Sequence, residues 1–99
     1  MTPEEFQLVQ SDIPAEPGIY KYYDGGKTLL YVGKAKNIRK RVSSYFTRSQ
    51  QTRKTLELVR RIASIEFTIV HSEQDAFLLE NALIKEYKPK YNIDLKDDK

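Results

Sequence analysis

The chain has 99 residues, 39% of them hydrophobic, which allows one small domain with a compact core. It has no cysteine and one histidine, which excludes disulfides, thiolate-ligated metals, thiol nucleophiles and a histidine-rich metal centre. The net charge is +3, no apolar run is long enough for a bilayer span, and the opening MTPEEF lacks a secretory pattern, so a soluble cytoplasmic protein is expected.

Pro3 opens a short helix over residues 3–10, and Pro14 and Pro17 break the chain before Gly18. Residues 18–23 (GIYKYY) and 28–33 (TLLYVG) are rich in strand formers and flank Asp24-Gly25-Gly26-Lys27, a hairpin signal. A two-residue turn at Gly25-Gly26 sets Tyr20 opposite Tyr31 and Ile19 opposite Val32. Residues 37–46 carry Ile38, Val42, Tyr45 and Phe46 on one helical stripe, with Asn37 as N-cap. Residues 51–63 form a second helix with Val59, Ile62 and Ala63 inward, and residues 65–70 alternate as a third strand. The longest helix spans 73–87, capped by Ser72 and ended before Pro89, and a polar, frayed tail begins at Asp94. The order ββααβα, after the short N-terminal helix, predicts an α+β domain: a small, mainly antiparallel three-stranded sheet flanked by helices.

The small net charge hides segregation. Lys34 to Arg61 holds ten basic residues against the single acid Glu57, a local +9; the seven basic and thirteen acidic residues elsewhere sum to −6. Such a segment suits a polyanion such as nucleic acid, or a pair of solvated basic helices. In the last helix Glu80 falls near the centre of the arc formed by Ala76, Leu83, Tyr87, Ile84, Phe77 and Leu79. A carboxylate there needs a partner, either an arginine of the basic helices or a divalent cation. One central carboxylate suits one hard cation that keeps several waters, Mg²⁺ or Mn²⁺. Arg41 flanks Tyr45 at the edge of its buried stripe, placed either to snorkel or to reach a phosphate. The Tyr20–Tyr31 pair reads equally as core packing or as part of a site, and Gly33 fits a close approach of backbone or ligand.

Gly18-Ile19-Tyr20, then Tyr31-Val32-Gly33, Lys34, Arg41, Tyr45, Glu80 and Asn92 together resemble the GIY-YIG nuclease family. The second triplet is YVG here. LYVGKAKNIRKRVSSYF, FLLENALIKEYKPKYN and LKDDK are similar to the family's excision-repair branch, the N-terminal domain of UvrC, across nearly the whole chain. The resemblance implies a single domain over residues 1–99, excised from a longer parent, that hydrolyses a DNA phosphodiester. In that branch the incision falls 3′ of a lesion, on a UvrB–DNA complex reached through the parent protein.

By the same resemblance Glu80 holds one Mg²⁺ or Mn²⁺, Tyr20, Tyr31, Lys34, Arg41 and Tyr45 line the site, and Asn92 lies near it. Tyr31 is the expected general base and Tyr20 the second choice, since a lysine and a metal nearby lower a phenol's pKa. Lys36, Arg39, Lys40, Arg48, Arg53 and Lys54 are expected to contact DNA, and His71 to be structural or exposed. A monomer is expected for the isolated domain. A non-catalytic nucleic-acid-binding module, and a GIY-YIG endonuclease acting without UvrB, are the competing readings.

Overall fold

The computed structural model describes residues 1–47 and 51–95. Helix α1 (Pro3–Val9) starts in a capping box. The Thr2 hydroxyl oxygen accepts from the Glu5 N–H at 3.1 Å, and the Glu5 carboxylate accepts from the Thr2 N–H at 2.8 Å. A 3-10 turn (Gln10–Asp12) leads into β1 (Gly18–Tyr23) and β2 (Leu29–Ala35). Then come α2 (Ile38–Thr47), α3 (Arg53–Arg61), β3 (Ser64–Ile69), α4 (Glu73–Tyr87) and α5 (Lys90–Asp94). The sheet is antiparallel in the order β2-β1-β3, so the GIY strand is central.

The hairpin register differs from the expected one. Tyr20 pairs with Gly33, not Tyr31; Tyr31 pairs with Tyr22, and Ile19 with Lys34 rather than Val32. Asp24 is the cause. Its carboxylate accepts from the N–H groups of Gly26 and Thr28, both at 2.9 Å, and its carbonyl accepts from the Lys27 N–H at 3.0 Å. This Asx-stabilised turn puts the left-handed residue at Lys27 (φ 64°) and leaves no glycine with positive φ. The loop therefore has three residues, and an irregularity at Tyr22/Tyr23 adds one more. The shift totals two residues, so every side chain keeps its face.

The sheet's two faces carry separate cores. On one, Tyr20, Tyr22, Ile38, Val42, Tyr45, Leu58 and Tyr91 pack together, with Phe6 stacked on Phe46 at 4.3 Å. On the other, Ile19 and Val32 meet Ala76, with Leu79, Leu83 and Ile84 of α4 partly buried around them. Both GIY-YIG glycines make room for neighbours: a Cβ on Gly18 would overlap the Thr68 carbonyl, and one on Gly33 the Tyr20 ring.

Several local expectations change. Helix α3 ends at Arg61, and its fully buried residue is Leu58, while Ala63 is exposed. Phe77 and Tyr87 are more than half exposed, so the buried face of α4 is narrower than its apolar arc. Lys88 ends α4 in the left-handed conformation (φ 45°). Helix α5 follows Pro89, so Asp94, the expected start of the frayed tail, ends a helix. The rest of that tail, residues 96–99, lies outside the described residues.

Candidate active site

Four tyrosines converge on the α2 face of the sheet. Tyr20 and Tyr22 leave β1, Tyr31 leaves β2 and Tyr45 leaves α2, with ring centroids 5.3–6.4 Å apart. The Tyr20 and Tyr45 hydroxyls are 3.0 Å apart and share a hydrogen bond. The Arg41 guanidinium lies over the Tyr45 ring, 5.3 Å from its centroid. Tyr22 was not among the expected site residues, although it shares Tyr20's parity along β1. It is fully buried, and its hydroxyl has no hydrogen-bond partner among the described residues.

The electrostatics invert one expectation. Burial, then the neighbouring Tyr45 and the charge of Glu80, push the Tyr31 phenol above the ordinary tyrosine range rather than below it; Arg41 pulls the other way. The reason is alternation: Tyr31 and Lys34 leave opposite faces of β2, so the lysine does not bear on the phenol. Tyr20 is pushed up to about 12, chiefly by burial. Its hydroxyl is buried and bonded to Tyr45, whereas Tyr31 is only half-buried, so Tyr31 is the phenol that solvent reaches. Burial works against the charge on Arg41, but Tyr20, Tyr45 and Tyr31 outweigh it and hold the guanidinium protonated.

Glu80 sits half-buried on α4. Burial raises its carboxyl pKa, while the Lys34 charge and a hydrogen bond from the Lys34 backbone N–H oppose that rise. Among the described residues no ion pair includes Glu80, so the arginine partner does not materialise. No three of His, Cys, Asp and Glu cluster among the described residues. A lone carboxylate, partly desolvated and without a cationic side chain in ion-pair contact, fits a hard divalent cation that retains most of its water.

Asn92 faces the outer edge of β2. Its Oδ1 accepts from the Val32 N–H at 2.8 Å and its Nδ2 donates to the Val32 carbonyl at 2.9 Å. The amide thus holds the strand between Tyr31 and Gly33. Helix α5 is anchored in turn by Tyr91, whose hydroxyl donates to Glu57 at 2.6 Å and accepts from Arg61 at 3.3 Å. Sequence reasoning gave no sign of this support.

The residues of the basic segment differ in their contacts within the chain. Arg39 donates to the Ile13 carbonyl at 2.6 Å, and Lys54 to the Asp94 carbonyl at 3.2 Å. Lys36 pairs with Glu73 at 3.2 Å; Lys40 and Arg53 are exposed; Arg48 lies outside the described residues. His71 is exposed.

Residues 16–93 match the model of the UvrC-like GIY-YIG domain. The chain belongs to that family. The UvrABC system protein C of Porphyromonas gingivalis is 54% identical over 99 residues, all of this chain, and that of Bacteroides fragilis 53% over 98 residues. The chain spans 16% of the length of these curated relatives. Among solved structures it is similar to the GIY-YIG N-terminal endonuclease domain of UvrC from Thermotoga maritima bound to its catalytic divalent cation, magnesium. The two are 36% identical with a TM-score of 0.76, covering 89% of this chain and 96% of that one. A point mutant of that domain, also bound to its cation, gives a TM-score of 0.77 at 35% identity, covering 89% and 94%. In this chain the tyrosines of the two signature triplets lie on the α2 face of the sheet, Ile19 and Val32 on the α4 face, and Glu80 on α4.

Proposed function

We propose that this GIY-YIG domain is a divalent-metal-dependent endonuclease that hydrolyses a DNA phosphodiester, leaving a 3′-hydroxyl and a 5′-phosphate. Within a longer parent it makes the incision 3′ of a lesion during excision repair in the cytoplasm, on a UvrB–DNA complex. The observation that carries the reading is the meeting of Tyr31, Tyr45 and Arg41 on one face of the sheet, with the charge of Glu80 on α4 near enough to act on the Tyr31 phenol.

Glu80 holds one Mg²⁺ or Mn²⁺, which supplies Lewis-acid stabilisation of the phosphate and the leaving oxygen. Arg41, charged throughout the working pH range, neutralises a non-bridging phosphate oxygen through its planar fork. Tyr31, the accessible phenol, orients the attacking water, and the fraction present as phenolate takes its proton. Tyr45 is fixed by Tyr20 and donates to the phosphate. Lys34 opposes the rise that burial imposes on the Glu80 carboxyl pKa and so favours its ionised form. Asn92 acts through Val32, holding the strand that carries Tyr31.

The test is nicking of supercoiled DNA with Mg²⁺ or Mn²⁺. Glu80→Gln is expected to abolish nicking while its melting curve stays cooperative, and Tyr31→Phe to slow it by about 10²–10⁴-fold. Undiminished metal-dependent nicking by Glu80→Gln would overturn the assignment.

A further inference from the structure

A cavity of about 250 Å³ opens beside the candidate site, where β2 leaves the sheet and α4 begins. Pro17, Ala35 and Ala76 give it apolar walls, and the exposed Lys34, Lys36 and Glu73 bring charge to it. It adjoins the reaction centre: Ala76 is one helical turn before Glu80, and Lys34, one position after Gly33, also lines the cavity. Nothing in the mechanism above uses this space.

We infer that this cavity receives one nucleotide of the cleaved strand, next to the scissile phosphodiester, with its deoxyribose against the apolar walls and its phosphate on Lys36. The inference rests on the nuclease reading and extends it to a second contact on the same strand. An apolar wall with cationic groups beside it matches a sugar ring flanked by a phosphate, and a volume of this size admits one nucleotide unit rather than a duplex.

Glu73 is the apparent objection, since an acid beside the cavity repels phosphate. It pairs with Lys36 at 3.2 Å, with the two side chains 74% and 86% exposed. A pair that open to water is weak and exchanges readily for another anion. Glu73 thus occupies Lys36 in the free protein and yields it to DNA. Substituting the two partners is expected to move DNA affinity in opposite directions, and comparing a nucleotide with bare phosphate separates a subsite from general charge attraction.

The experiment measures affinity of the 99-residue chain for a fluorescent duplex, in EDTA to prevent cleavage, across a salt series. The parent chain is expected to lose affinity steeply with salt. Lys36→Gln is expected to reduce the slope of log affinity against log salt by about one. Glu73→Gln is expected to bind about two- to fivefold more tightly, because Lys36 is released. If the parent slope is steep but both variants match it, the subsite is overturned while the nuclease reading stands. A flat parent response overturns the DNA reading itself. A second arm titrates thymidine 5′-monophosphate and inorganic phosphate while following the Ala35 and Ala76 methyl resonances. Shifts with the nucleotide alone support a sugar-binding wall; equal shifts with both, or none, overturn it.

Discussion

Replacing Gly33 with alanine tests the register that builds the site. Gly33 pairs directly with Tyr20 across the hairpin, and an added Cβ would overlap the Cζ, hydroxyl and Cε1 atoms of that ring. The ring is 1% exposed and hydrogen-bonded to Tyr45, so it has nowhere to move without breaking that bond. Overpacking of this kind costs about 1–3 kcal/mol. Losing the Tyr20–Tyr45 hydrogen bond adds about 1 kcal/mol. Urea unfolding followed by circular dichroism is therefore expected to show Gly33→Ala destabilised by about 2–4 kcal/mol. In a Tyr20→Leu background the three obstructing atoms are gone, and the same substitution is expected to cost under about 0.5 kcal/mol, since alanine also reduces the entropy lost by glycine on folding. An equal cost in both backgrounds would refute the contact. So would a negligible cost in the parent, which would fit the alternative register with Tyr20 opposite Tyr31.

Asn92→Ala leaves the Val32 N–H and carbonyl without their partner and is expected to cost about 1–3 kcal/mol in urea unfolding. It is also expected to slow nicking without changing the metal concentration needed for half-maximal rate; a shifted metal requirement would place Asn92 on the cation instead. Stability is expected to fall above pH 10. Tyr20 and Tyr22 keep their protons in the folded state beyond the unfolded value of 10, so the unfolded chain binds fewer protons there and gains with rising pH. Each contributes a loss of about 1.4 kcal/mol per pH unit in that window, and a flat denaturation midpoint between pH 9.5 and 11.5 would contradict the burial of these phenols. Nicking rate is expected to rise with pH between about 7 and 9, because the base form of Tyr31 is the phenolate and its pKa lies above that window. Tyr31→Phe should flatten the profile, and a rate falling across that range would remove Tyr31 as the base.

Much of the architecture is legible in the sequence because local chemistry decides it. Helix α4 runs over residues 73–87 as its Ser72 cap and the following Pro89 dictate. The three strands follow from their aromatic and β-branched runs. Tyr20 and Tyr31 share a face in either register because the shift is an even number of residues. What sequence could not supply depends on a side chain reaching backbone elsewhere. The Asp24 carboxylate sets the hairpin loop, and Asn92 grips β2 from sixty residues away. Helix α5 is five residues long, too short to declare itself, and is held by the Tyr91–Glu57–Arg61 bonds. Charge counting alone could not distinguish the partly buried Arg39, which bonds to the Ile13 carbonyl, from Lys40, Arg53 and Lys54, which are exposed. The effect expected of Lys34 on Tyr31 failed for a geometric reason, since three positions along a strand reverse the face.

The central claim is a single divalent cation held by Glu80 in a cleft shared with Tyr31 and Arg41. Anomalous diffraction from crystals of this chain soaked in Mn²⁺ tests it directly. One anomalous peak in coordination contact with the Glu80 carboxylate, open to the Tyr31 hydroxyl and the Arg41 guanidinium, is the predicted result. A peak bound elsewhere with Glu80 bare, or two peaks sharing the site, would contradict it.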